Sequence, residues 1–152
     1  MSSAKQGAGA APEDTSWRET VDPDALPFRE GEEAWTRADV DEVIDELFAD
    51  ITKQQTAIAV AEHELADLRD GTDGAGRDPA DVGSNNFERD QEMSLVHSAR
   101  EMLEQSQSAL RAIRTGHYGA CENCGQAIGK GRLQVFPRAN LCVTCKQREE
   151  RR

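Results

Sequence analysis

Four cysteines constrain this chain more than any other feature: Cys121-x-x-Cys124 and Cys142-x-x-Cys145, with seventeen residues between the pairs. Each CxxC turn delivers two thiolates to one side of an ion, and the spacer lets the chain return to complete a tetrahedron. Disulfides would need an oxidising compartment, and nothing at the N-terminus reads as an export signal. A redox CxxC would stand once, near a βαβ pattern that is missing here. An iron–sulfur cluster can use the same four thiolates, but paired and widely separated ligands fit a zinc ribbon better. The spacing therefore predicts one structural zinc ion held by Cys121, Cys124, Cys142 and Cys145, with no vacant position for chemistry. Gly125, directly after Cys124, suits a tight knuckle that needs a positive φ.

A site of this kind staples a small unit, and the rest of the chain needs such help. Only two Trp, one Tyr and four Phe are spread over 152 residues, too few for a large globular core. No apolar run approaches a membrane span, so the expectation is a soluble, cytoplasmic protein. The net charge of −11 is unevenly placed. Residues 13–50 hold fourteen acids against three Arg, whereas residues 116–152 hold three acids against seven bases. Phosphate repulsion would oppose DNA everywhere outside the cysteine segment, so sequence-specific DNA binding is not expected.

Residues 1–34 are small and polar at first, then acid-rich and broken by Pro23, Pro27 and Gly31; they read as a disordered acidic tail, anchored at most by Trp17, Leu26 and Phe28. A helix is predicted from near Trp35-Thr36, with Asp39 in the place of a capping-box acid. Val40, Ile44, Leu47, Ile51, Gln54, Ile58, Ala61, Leu65 and Leu68 follow at alternating spacings of four and three, a heptad seam with one polar interruption. That helix should run to about Arg69. Asp70 to Gly83 reads as a connection rich in Gly. A second helix is predicted from about Phe87 to Thr115, with a seam at Val96, Ala99, Leu103, Ser106, Leu110 and Ile113, broadened by Leu95, Met102 and Ala109. Gly116 stands where a C′ glycine would end it. Two long helices with facing stripes should fold back as an antiparallel coiled-coil hairpin. The resulting fold class is mostly α: a hairpin over 35–115 with its tip at about 70–86, then a four-cysteine finger with a short C-terminal helix over 116–152. An elongated monomer is expected.

The stretch Arg114-Thr-Gly-His-Tyr-Gly-Ala-Cys-Glu-Asn-Cys-Gly, followed by Arg132-Leu133, Phe136-Pro137 and Leu141-Cys-Val-Thr-Cys-Lys, closely resembles the DksA/TraR family of zinc-finger regulators. The resemblance covers about residues 36–148, including the helical hairpin that precedes the finger in full-length members. It implies a partner, bacterial RNA polymerase, with the coiled coil inserted into the secondary channel toward the catalytic Mg²⁺ to modulate initiation. Family tips carry Asp-x-x-Asp-x-Ala; here Asp78 and Asp81 supply both acids, with Gly83 in place of the Ala. The same residues also read as a helix start, with Asp78 as N-cap, Pro79 at the first position and Asp81 at the third.

No nucleophile, base and acid combine in a catalytic arrangement, and no phosphate-cradling Gly motif appears, so the chain is not expected to be an enzyme. His63 and His97 lie mid-helix without metal-ligand spacing, and His117, four residues before Cys121, could replace a ligand in principle, but four cysteines already fill the site. Two other readings stay open. The finger and hairpin could bridge two other proteins. Alternatively, Lys130, Arg132, Arg138, Lys146, Arg148, Arg151 and Arg152 could serve a nucleic-acid-binding finger.

Overall fold

In a computed structural model, residues 15–72 and 79–152 are described, with side chains from 15 to 70 and from 82 onward. Two helices dominate: α1, Arg37–Thr72, and α2, Pro79–Thr115. At 1.5 Å per residue each is about 55 Å long. The chain begins α1 with a reciprocal capping box. The Thr36 backbone N–H donates to Asp39 Oδ2 at 3.0 Å, and the Asp39 N–H donates to Thr36 Oγ1 at 3.1 Å. At the far end of α2, Gly116 adopts φ 77° and the His117 N–H returns to the Ala112 carbonyl at 2.9 Å, closing the last turn.

Both helices are longer than the sequence patterns suggest. α1 continues three residues past Arg69, and α2 begins at Pro79 rather than near Phe87. Pro79 has its φ preset for a first helical position, and once the amphipathic part of α2 exists each added residue gains a hydrogen bond. That offsets the cost of Gly83 inside the helix, about 1 kcal/mol. Of the connection expected over Asp70 to Gly83, residues 70–72 and 79–83 are helical, and 73–78 lie outside the described residues.

The antiparallel seam is densest at the base. Val40, Val43, Ile44, Leu47 and Ile51 of α1 pack with Ala109, Leu110 and Ile113 of α2. Farther out, Ala61, Val96 and Ala99 are buried, while Ile58, Leu65 and Leu68 are only half-buried. Leu95, expected to broaden the seam, points to solvent, because it lies about 100° around the helix from Val96. The two polar seam residues are not defects. Ser106 is fully buried and its Oγ donates to Asp50 Oδ2 at 2.5 Å, while Gln54 Nε2 donates to Asp50 Oδ1 at 3.1 Å. One carboxylate thereby ties both helices in register.

The finger stands on the base of this hairpin. It contains two short helices, α3 (Lys130–Val135) and α4 (Val143–Glu150), and an isolated antiparallel bridge between Ala120 and Ala127. Tyr118, Cys121, Ile128, Leu133 and Cys145 join the same buried cluster as Ile44 and Leu47. Tyr118 Oη donates to the Pro137 carbonyl at 2.7 Å, and Arg138 reaches Asp50 Oδ2 at 3.3 Å.

Residues 15–34 depart from the expected disordered tail. Two 3₁₀ turns, Ser16–Thr20 and Pro23–Ala25, lead into a strap that crosses the base. Val21 and Leu26 are buried with Trp35, whereas Phe28, expected as an anchor, is 41% exposed. Arg18 pairs with Asp45 at 2.6 Å, Arg37 donates to the Arg18 and Val21 carbonyls, and Trp17 lies beneath the Arg114 guanidinium. Apolar burial and hydrogen bonds to the finger hold it there. Glu32 accepts from the backbone N–H groups of Lys130 at 3.0 Å and Gly131 at 2.8 Å, and Lys130 Nζ meets Asp39 at 2.6 Å.

These contacts set an acid limit on stability. The Gly131 N–H holds Glu32 below its ordinary value of 4.5, and the Lys130 ammonium holds Asp39 below 3.8. Burial works against the Asp50 charge, but hydrogen bonds from Ser106 and Gln54 and the Arg138 charge outweigh it, again lowering the pKa. Lowered carboxylates stabilise the fold in full above their unfolded pKa and cease to do so as pH falls through the folded one. The base should therefore hold at pH 5 and above and loosen as pH falls below about 4. Trp fluorescence followed against pH checks this, and Asp50→Asn should flatten part of the transition.

Candidate metal centre

The finger's first knuckle is built by backbone. The Cys121 N–H donates to the Gln126 carbonyl at 2.8 Å and the Gly125 N–H to the Cys121 carbonyl at 2.9 Å, with Gly125 at φ 75° as the sequence predicts. The second pair opens α4: Cys142 is its N-cap, and its sulfur accepts from the Cys145 N–H at 3.4 Å. Leu133 and Ile128, both buried, hold the two halves together under the hairpin.

This brings all four sulfurs within 4.8 Å of one another. The cysteines are free thiols, not disulfides. Four thiolates on zinc at about 2.3 Å, arranged tetrahedrally, stand about 3.8 Å apart along each edge. The Cys124 and Cys142 sulfurs are 3.8 Å apart. Cys121 and Cys145 are buried, Cys142 is half-buried and Cys124 is exposed.

The electrostatics favour the anion at Cys121 and Cys142 and the neutral thiol at Cys145. Burial pushes the Cys121 thiol up, but the N–H groups of Cys124, Cys142 and Asn123 outweigh it and lower its pKa to about 6. The Cys145 N–H lowers Cys142. At Cys145 the Asn123 amide, 3.3 Å from the sulfur, acts to lower the pKa, but the neighbouring Cys142 thiol and burial raise it to about 11. Four sulfurs crowded this closely need a cation to carry a common negative charge. The donor set fits one structural zinc ion, whose bound form would have no open coordination position.

The other expected site is placed less directly. Asp78 lies outside the described residues. Asp81 is the third residue of α2, with its side chain outside the described ones. Asp81, near the start of α2, and the cysteine cluster, which follows the end of α2, belong to opposite ends of that helix. His63 and His97 pair with Asp67 and Glu101 on exposed helix faces, and His117 contacts Thr115. Sequence reasoning missed Glu32, Asp39 and Lys130 as the joint between strap and finger. The acidic 13–50 stretch and the basic 116–152 stretch were the available signal, since their charges are complementary.

A model of the prokaryotic dksA/traR C4-type zinc finger matches residues 115–151. The RNA polymerase-binding transcription factor DksA of Caulobacter vibrioides is 36% identical over 75 residues, which cover 49% of this chain and 53% of that protein. The protein of the same name from Escherichia coli K12 is 32% identical over 69 residues, covering 45% and 46%. The matched part of the chain thus spans about half the length of these curated relatives. Similarity in three dimensions extends further: the structure of transcription factor DksA2 from Pseudomonas aeruginosa superposes with a TM-score of 0.61 and 31% identity, covering 75% of this chain and 84% of that one. Hairpin, finger and four-cysteine cluster therefore agree with one another, and the chain belongs to the DksA/TraR family.

Proposed function

We propose that this protein is a transcription regulator that binds bacterial RNA polymerase and inserts its hairpin tip into the secondary channel to modulate initiation. The observation that carries it is the joining of two helices of about 55 Å to a compact finger at one end only. A probe of that length can reach a buried catalytic centre while its base stays outside. The relatives named above are RNA polymerase-binding factors, and that name supports the same partner here.

In this reading Cys121, Cys124, Cys142 and Cys145 are the four ligands of a zinc ion that holds the finger and takes no part in a reaction. Asp78 and Asp81 act at the tip, where two carboxylates near a channel-bound metal would reshape its hydrogen bonding. The protein works as a cytoplasmic monomer and is not an enzyme. Among the described residues no helix is long and apolar enough to cross a membrane. A nucleic-acid-binding finger is less well supported: Lys130 is buried against Asp39 and Arg138 is engaged by Asp50, which removes two of the seven bases from service.

Asp81→Asn tests the tip. The change keeps size and some capping ability, so stability should move by about 0.5 kcal/mol and polymerase affinity by about twofold or less. Promoter-complex lifetime, measured on the same preparation, should no longer respond to the variant. A variant that binds equally and still shifts the lifetime like the parent would leave Asp81 with a capping role only. No co-purification of polymerase with the parent chain would remove the partner itself.

A further inference from the structure

The strap does more than fasten the base. Its residues 28–30 line a groove of 430 Å³ together with Cys124, Cys142, Cys145 and Arg148. This is the side on which the cluster is open, since Cys124 is exposed and Cys142 half-buried. The strap also lies hard against the finger's backbone. A Cβ on Gly119 would stand 3.2 Å from the Pro27 carbonyl oxygen, and one on Gly129 would stand 3.0 Å from Arg29 Cδ. Glu32 fixes the strap at this height through its bonds to the Lys130 and Gly131 N–H groups, and its Oε1 also accepts from the Arg29 N–H at 2.9 Å. Trp35 Nε1 donates to the Pro27 carbonyl at 3.0 Å and closes the other end.

We propose that the strap is a gate on the metal: Phe28, Arg29 and Glu30 wall the open side of the four-cysteine cluster, Glu32 holds the gate shut, and its position sets how fast zinc is exchanged with outside ligands. A saturated four-thiolate site exchanges by entry of a new donor. A zinc ion held by these four thiolates would be lost to an outside nitrogen, oxygen or sulfur donor that replaces a cysteine sulfur, the freed thiolate being protonated by a buffer acid, with no change of oxidation state. A donor entering along the groove meets three of the four sulfurs, because Cys124, Cys142 and Cys145 line it while Cys121 is buried outside its lining. The gate also couples the zinc site to the start of α1, since Lys130 binds both the Ala34 carbonyl and Asp39.

This inference rests on the four cysteines holding zinc, so zinc content of the purified full-length chain is measured first. A chain that carries no zinc fails that assignment and leaves no exchange to gate. With zinc-loaded protein, release into the chromogenic chelator 4-(2-pyridylazo)resorcinol is timed for the parent, for Glu32→Gln and for Phe28→Ala. Glu32→Gln weakens three charge-assisted bonds, two of them to the finger, and should speed release by about tenfold. Phe28→Ala lowers the wall without touching those bonds and should also speed release, by a few-fold. Glu33→Gln, at an exposed neighbouring position, should match the parent. Hydrogen exchange at the Lys130 and Gly131 amides reports whether the gate has opened. Parent-like release in Glu32→Gln with those amides unprotected overturns the proposal. So does parent-like release in Phe28→Ala, which decides the matter even if Glu32→Gln fails to fold.

Discussion

Cys145→Ser should strip the zinc and unfold the finger while leaving most of the helical signal in place. Structural zinc contributes on the order of 10 kcal/mol of binding free energy in small fingers, and that free energy is folding free energy. Cys145 is 4% exposed and sits in the cluster that includes Ile128 and Leu133, so its loss also leaves buried surface without a partner. Metal content should fall from one ion per chain to near none. Limited proteolysis should cut within residues 116–152 while α1 and α2 persist. A zinc-free variant with a protease-resistant C-terminal third would show that packing alone folds this segment.

The second large effect belongs to Trp35. Its ring is 2% exposed, tilts against Tyr118 at 6.1 Å, lies under the Lys130 ammonium at 5.9 Å and donates to the Pro27 carbonyl. Strap, hairpin and finger meet on this one side chain. Trp35→Ala should cost about 3 to 5 kcal/mol, the range for a large aromatic lost from a packed core. Leu95→Ala, 59% exposed in its folded setting, should change stability by about 0.5 kcal/mol or less. Denaturant unfolding of both variants measures the contrast. A small loss at Trp35 would mean that the base is held by the finger alone.

The contrast between these two residues shows what the sequence could and could not convey. Cys121, Cys124, Cys142 and Cys145 were legible because metal geometry dictates their spacing, and the Thr36–Asp39 cap was legible because capping is local. The seam at Ile44 and Leu47 followed from periodicity. Leu95 did not, since a heptad pattern cannot say how wide a stripe a partner helix covers. Trp35 read as no more than a helix boundary and Val21 as part of a tail, with Leu26 named among that tail's anchors. Their burial depends on the finger arriving from almost a hundred residues away, through bonds such as Glu32 to Lys130 that no local pattern carries. The start of α2 at Pro79 was legible in the Asp78-Pro79-Asp81 helix-start pattern, but Gly83 suggested a loop and set the expected helix back to about Phe87, whereas cooperative propagation from the strong part of the helix overrides the glycine.

The bonds joining the strap and the start of α1 to α3 span 95 to 99 residues. On the ribosome this gives the two ends of the molecule very different histories. The strap and the first turns of α1 are made early, and α1 and α2 can pair through contacts that close as soon as the second helix emerges. The acids at Glu32 and Asp39 must wait, without their basic partners, until Lys130 and Gln134 leave the exit tunnel. Closing a loop this long is slow compared with zipping a hairpin, so the base should be the last part of the molecule to form. Newly made chains would thus pass through a stage with a finished hairpin and an unfastened base. Its duration would be set by completion of the C-terminal segment and the arrival of metal.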